Sequence, residues 1–386
     1  MKKFLLIIID GGAEDCLTRR SAGSAFAKAK KPNLDLLASN SACGLWTGPH
    51  APHYNPRSLS SVATLEILGY SWRDEPGRGY LEALGIGIKL RKGDVCIRGN
   101  FATVSDKIRD RRAGRDEKGL DRMVKDLNKK IKSIDGVKTM LYRAVSHRLV
   151  LVLSGKGISP QVSDSDVGSS PQKIKPLNGK GKKTSGVLNK YVEMSRELLL
   201  SHPANRKRRM PANYILFRSA GAARKVGSFA SKYRMKACSI SGVNIIRGTS
   251  KYLGIDILPA PLSQLENDLQ LRAKKAVDAL ERYDFVMLHI NGADTKAHDK
   301  DFHGKVKYIE KIDSDVFSQV VKLRHINIAV ISDHITDSRT GNHVFGPVPF
   351  LIYASEEDSD GGKFDEKSCS NSFVADNPMK KILSVA

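Results

Sequence analysis

At 386 residues, with 40% hydrophobic and 27% charged residues, the chain has length for one large core or two and a globular rather than disordered composition. Its formal net charge of +23 points to an anionic partner, but basic clusters scattered along a chain with 6% aromatic residues argue against a nucleic-acid stacking surface and leave small anions. Five widely spaced cysteines give neither a disulfide framework nor a zinc knuckle and fit a reducing cytoplasm, and no apolar stretch reaches the length of a membrane span.

Residues 4–9 are a continuous apolar run behind Met1-Lys2-Lys3. The run is too short for a secretory segment, Asp10 closes it, and no small-residue cleavage site follows, so it is predicted to be a buried strand. Asp10 then stands at the strand's carboxyl end, and Gly11-Gly12 permit a sharp turn and close approach of a ligand. By itself such an aspartate reads first as a turn cap. The segment from Ser58 to Tyr70 reads as a helix with a serine-rich start. Helix amino termini attract phosphate, and a metal can activate a serine hydroxyl. Serine is equally a common helix cap, and spacing does not choose among Ser58, Ser60 and Ser61.

Residues 89–233 differ in texture: Lys/Arg clusters, a Gly- and Ser-rich loop over 167–186, and apolar runs at 149–153 and 214–217. They are predicted to form an inserted α+β cap, with 1–88 and 234–386 as the core. In the core's second part a helical pattern at 262–282 precedes a strand at 285–290. Asp294 and His298 follow, four residues apart as on one helix face. A second helical pattern, 306–323, leads to a strand at 326–331 that ends in Ser332-Asp333-His334, and His343 precedes a strand at 349–353. Strands alternating with helices predict an α/β core with a mostly parallel sheet flanked by helices. Three strand ends thus converge where such sheets bind ligands. Mixed Asp and His donors suit Mn²⁺, Zn²⁺, Co²⁺ or Mg²⁺, and two such ions can clamp a phosphoryl group.

Several stretches carry a resemblance over almost the whole chain: Ile9-Asp10-Gly11, Lys31-Pro32-Asn33-Leu34-Asp35, Ile67-Leu68-Gly69-Tyr70, Gly77-Arg78-Gly79, Asn100-Phe101-Ala102-Thr103-Val104, Asp110-Arg111-Arg112-Ala113-Gly114-Arg115, Pro211-Ala212-Asn213-Tyr214 and Asp333-His334. In these the chain resembles the archaeal-type cofactor-independent phosphoglycerate mutases of the alkaline phosphatase superfamily. The resemblance implies an alkaline phosphatase-like core and two divalent ions. Asp10, Ser60, Asp333 and His334 would hold one ion, and Asp294, His298 and His343 the other. It also implies that Ser60, fixed by counting back from Ile67-Leu68-Gly69-Tyr70, takes the phosphoryl group from a phosphoglycerate and returns it to the other hydroxyl. In the cap, Asp110, Arg111, Arg112, Arg115, His147 and Arg218 become the candidates for gripping this small phosphorylated acid, because arginine forks match carboxylate and phosphate.

The chain also departs from the family. Leu59-Ser60-Ser61-Val62 stands where members have Gly-Ser-Asp-Thr, and Asn291 stands where they tend to have lysine. These changes keep a second reading in play, a phosphohydrolase or phosphotransferase for another small anion. A third, a basic protein that retained the fold without catalysis, fits poorly with seven retained ligand positions.

Overall fold

The structure, a computed structural model, describes residues 2–16, 23–49, 59–262, 265–354 and 362–385. In chain order its strands are β1 (Phe4–Ile9), β2 (Ala42–Trp46), β3 (Val95–Val104), β4 (Ile108–Asp110), β5 (Ser133–Ile134), β6 (Val137–Arg143), β7 (Arg148–Ser154) and β8 (Tyr214–Ala222). There follow β9 (Ala237–Ile240), β10 (Asp256–Ile257), β11 (Phe285–Ile290), β12 (Asn327–Ser332), β13 (Ile335–Asp337), β14 (Asn342–Val344), β15 (Val348–Tyr353) and β16 (Phe373–Ala375). Among the described residues, no helix is long and apolar enough to cross a membrane.

Two compact units emerge, residues 1–75 with 226–386, and residues 76–225. The first holds an eight-stranded sheet in the order β10-β9-β11-β1-β12-β15-β2-β16. From β10 through β12 all pairings are parallel, whereas β15 is antiparallel to both β12 and β2. All six residues of β1 are buried, which is why its sequence is apolar throughout rather than alternating. Leu5, Ile7 and Ile9 pack with Val286, Leu288 and Ile290 of β11 and with Leu269, Ala273 and Ala276 of a flanking helix. Each large aliphatic side chain buried there contributes about 1.5–3 kcal/mol. With β1 hydrogen-bonded between β11 and β12, three neighbouring parallel strands end side by side.

The second unit contains β3 to β8, with β3 antiparallel to β4, β7 and β8, and β6 antiparallel to β5 and β7. The boundaries differ from the sequence expectation of 88/89 and 233/234. The Arg78–Gly85 helix belongs to the second unit because it packs on β3 and β8. Gly77, at φ +98°, lies so close to β8 that a Cβ would stand 2.5 Å from the Ala220 carbonyl oxygen. The Phe229–Tyr233 helix belongs to the first unit, where the rings of Phe229 and Phe285 lie 4.9 Å apart.

Two helices also differ in extent. The pattern at 262–282 yields a helix only over Leu269–Ala279. Glu266, ahead of it, is buried and accepts hydrogen bonds from the Asn291 backbone N–H and the Tyr308 hydroxyl. The pattern at 306–323 starts earlier, at Phe302, capped by Asp301. It then widens into a π turn over Asp313–Phe317, where Asp313 accepts from the Asn33 and Leu34 N–H groups and so caps the Pro32–Ser39 helix.

Candidate metal centre

The carboxyl end of β1 delivers Asp10, and that of β12 delivers Asp333 and His334. His334 Nε2 lies 3.1 Å from Asp10 Oδ1 and 3.6 Å from Asp333 Oδ2. Gly11 donates its N–H to Asp333 Oδ1 at 2.9 Å and has φ +56°, and a Cβ there would stand 2.5 Å from Thr336 Oγ1 and 2.7 Å from Asp294 Oδ1. Only glycine therefore lets β1 turn this tightly against the donor groups.

From β11 the chain enters the Gly292–His298 helix, which presents Asp294 and His298 one turn apart. His343 arrives from the hairpin of β13 and β14, where it is paired with Thr336. His298 Nε2 and His343 Nε2 lie 3.1 Å apart, and each is 3.4 Å from an oxygen of Asp294. His298 Nδ1 stands 2.8 Å from the Gly341 carbonyl oxygen. A carbonyl can only accept, so Nδ1 carries the proton and Nε2 keeps its lone pair. Thr336 does the same for His334. Its hydroxyl donates to Asp294 Oδ1 at 2.7 Å and lies 3.2 Å from His334 Nδ1. With its one proton committed, Thr336 accepts from Nδ1–H and leaves His334 Nε2 bare.

Ser60, second residue of the Leu59–Ile67 helix, has its Oγ 3.2 Å from His334 Nε2. Ser61 is fully buried and its Oγ donates to Glu75 at 3.5 Å. Of these two hydroxyls, the one at the donor cluster is Ser60's. Ser58 lies outside the described residues. Asn291 sits at the start of the Gly292–His298 helix and donates its side-chain amide to Thr295 Oγ1 at 3.0 Å.

The electrostatics of the cluster call for positive charge. Burial, then the neighbouring charge of Asp10, pushes the Asp333 carboxyl well above its usual range. Burial opposes ionisation of Asp294 as well, but the hydrogen bond to His343 and the surrounding imidazoles outweigh it and hold that carboxyl below its usual range. Burial lowers His334, which keeps it in the neutral, ligating form. Among the described residues, the buried Asp333 Oδ2 has no hydrogen-bond partner. Leaving such an atom unpaired costs about 1–3 kcal/mol or more. A divalent cation there would take up that oxygen, the bare Nε2 of His334 and the excess negative charge of two adjoining carboxylates at once. The residues present fit such an ion.

A buried ammonium holds the loops that carry these donors. Lys305 donates to the carbonyls of Ala13 and Thr336, both at 3.0 Å, and to Glu14 Oε1 at 2.8 Å. Glu14 in turn accepts from the Ser338 N–H and hydroxyl.

Within the second unit, Arg111 and Arg218 converge on Asp166, at 2.7 and 3.6 Å. His147 is buried, and burial with the nearby charges of Arg148, Arg218 and Arg115 lowers it to about 4. Asp110 spends both oxygens on its own loop, accepting from the Arg112 and Gly114 N–H groups. Arg112 and Arg115 are exposed. Sequence reasoning missed Thr336, Lys305 and His289, the last a fully buried imidazole 3.6 Å from Asp10 Oδ2. A histidine interrupting an otherwise apolar strand was the available signal for His289.

Comparison with known proteins places relatives around this geometry. Residues 38–205 match the model of a family described as 2,3-bisphosphoglycerate-independent phosphoglycerate mutase. A mutase of that name from Picrophilus torridus is 37% identical over 385 residues, covering 96% of this chain and 94% of the relative. Among solved structures, the cofactor-independent phosphoglycerate mutase of Thermoplasma acidophilum is 30% identical with a TM-score of 0.70, all of both chains being covered. A Pyrococcus horikoshii protein is 26% identical with a TM-score of 0.83, covering 100% of this chain and 97% of its own.

Proposed function

The chain belongs to the 2,3-bisphosphoglycerate-independent phosphoglycerate mutases, and from that premise we propose that its reaction runs through Ser60 beside two divalent ions. The enzyme interconverts 2-phosphoglycerate and 3-phosphoglycerate. The observation that carries the site assignment is the position of the Ser60 hydroxyl, 3.2 Å from the ring nitrogen of His334 around which Asp10 and Asp333 gather. Asp10, Ser60, Asp333 and His334 would hold one ion, and Asp294, His298 and His343 the other. When bound, the ions supply the positive charge that lowers the serine's pKa and offsets phosphoryl charge.

In the first half-reaction Ser60 Oγ bonds to phosphorus as the bond from phosphorus to the substrate oxygen breaks. The serine's proton ends on that oxygen, releasing glycerate. Glycerate turns, its other hydroxyl attacks the phosphoserine, and the proton returns to Ser60. The Leu59–Ile67 helix supports this chemistry because its first turn offers N–H groups to a phosphoryl oxygen. For the second unit we propose the task of retaining glycerate, with Arg111, Arg112, Arg115, Arg218 and His147 as its grip and Asp110 shaping their loop. Water must be kept out during the turn, or transfer becomes hydrolysis. The free thiols Cys16, Cys43, Cys96, Cys238 and Cys369 support a cytoplasmic location.

Phosphorus NMR of the enzyme with Mn²⁺ and 3-phosphoglycerate is expected to show 2-phosphoglycerate rather than free phosphate. Ser60→Ala is expected to abolish both turnover and the phosphoserine trapped for mass spectrometry, while Ser61→Ala retains both. Interconversion by the Ser60→Ala enzyme would remove Ser60 from this role.

A further inference from the structure

The group around Asp10 and Asp333 has one more donor than the ligand set above includes. His289 is the penultimate residue of β11, and β1 pairs Ile8 with His289 on one side and with Ile331 on the other. Alternate residues of a strand share a face. His289 therefore stands on the face of Ile8 and Ile331, which is also the face of Asp10 and Asp333 two residues further along each chain. Its side chain is fully buried, with Nε2 3.6 Å from Asp10 Oδ2. One ring nitrogen of His289 and one oxygen from each of Asp10 and Asp333 lie within 4.8 Å of one another. Among the described residues, neither ring nitrogen of His289 has a hydrogen-bond partner. A histidine kept only for packing ordinarily satisfies its ring N–H and its lone pair within the core. His289 satisfies neither and stands beside two carboxylates.

We propose that His289 is a further ligand of the buried ion, completing a cradle with Asp10 and Asp333. This rests on the two-ion reading of the site and deepens it in two ways. An added imidazole moves the donor set from oxygen-rich towards the mixed character that suits Mn²⁺, Co²⁺ or Zn²⁺ better than Mg²⁺. It also gives the ion four protein donors, Asp10, His289, Asp333 and His334, that do not change when Ser60 becomes esterified. The serine can then leave and re-enter the ligand shell during turnover without loosening the ion.

The test uses the full chain labelled with ¹⁵N-histidine and loaded with ¹¹³Cd²⁺, counting imidazoles whose nitrogen signal is split by cadmium. Four are expected: His289, His298, His334 and His343. His289→Leu is expected to remove one split signal and to weaken Co²⁺ binding, followed by visible absorption, by about tenfold or more. A count of one to three in the unmodified protein, or Co²⁺ binding unchanged in the variant, overturns the assignment of His289. A count of zero overturns the metal centre with it. If His289→Leu does not fold, the count in the unmodified protein decides.

Discussion

The Asp10–Asp333–His334 group and the Asp294–His298–His343 group use the same residue types on opposite kinds of scaffold. The first stands on the ends of adjacent central strands, with Asp333 and His334 wholly shielded from water. The second stands on a seven-residue helix and a hairpin of three-residue strands, and the His298 side chain is 43% exposed. Shielding is costly for charged donors and makes the first group dependent on its ion, since adjoining carboxylates in a dry site repel. Exposure lets water replace a missing ligand in the second. The same chemistry should therefore give one ion held fast and one that exchanges.

The largest expected effect comes from Asp333→Ala, which removes a donor that water cannot replace. Turnover should fall by at least about 10³-fold, and metal analysis should show one fewer ion per chain while circular dichroism stays unchanged. A variant that keeps both ions would break the contrast. His298→Ala should cost about 10- to 100-fold at limiting metal, and excess Mn²⁺ should restore most of it. Activity that no metal concentration restores would mean that the open group tolerates loss no better than the buried one. The smallest effect belongs to Thr336→Val, which deletes the hydroxyl between Asp294 and His334. Both ions should bind more weakly, by about tenfold, as measured by Co²⁺ titration. An effect confined to one ion would show that the hydroxyl serves a single group.

The same contrast separates what the sequence reveals from what it hides. β1 is apolar throughout, and β11 and β12 are apolar apart from His289 and the terminal Asn327 and Ser332, so Asp10, Asp333 and His334 stand out as charged or ligating residues just beyond buried strands. The pairing that brings His343 to Asp294 depends on β13 and β14, which have three residues each, too short for any periodicity to register. His289 was hidden for another reason. Its significance depends on strand register, because only the pairing of Ile8 with His289 and Ile331 sets the imidazole on the face of the two aspartates. Helix spacing could not choose between Ser60 and Ser61, since the choice depends on where Glu75 and His334 lie in space. The unit boundary escaped because Gly77 records a close approach to Ala220, a contact between residues far apart in the chain.

Lys305 has a consequence for how the centre is assembled. Its ammonium is bonded to Ala13, Glu14 and Thr336, so the loops after β1 and around β13 are clamped by a cation that is part of the polypeptide. No chelator can extract it. A fastening of that kind predicts that these two loops stay joined when the protein is treated with a chelator, so that an ion would bind a folded chain rather than serve as the nucleus about which the chain must fold.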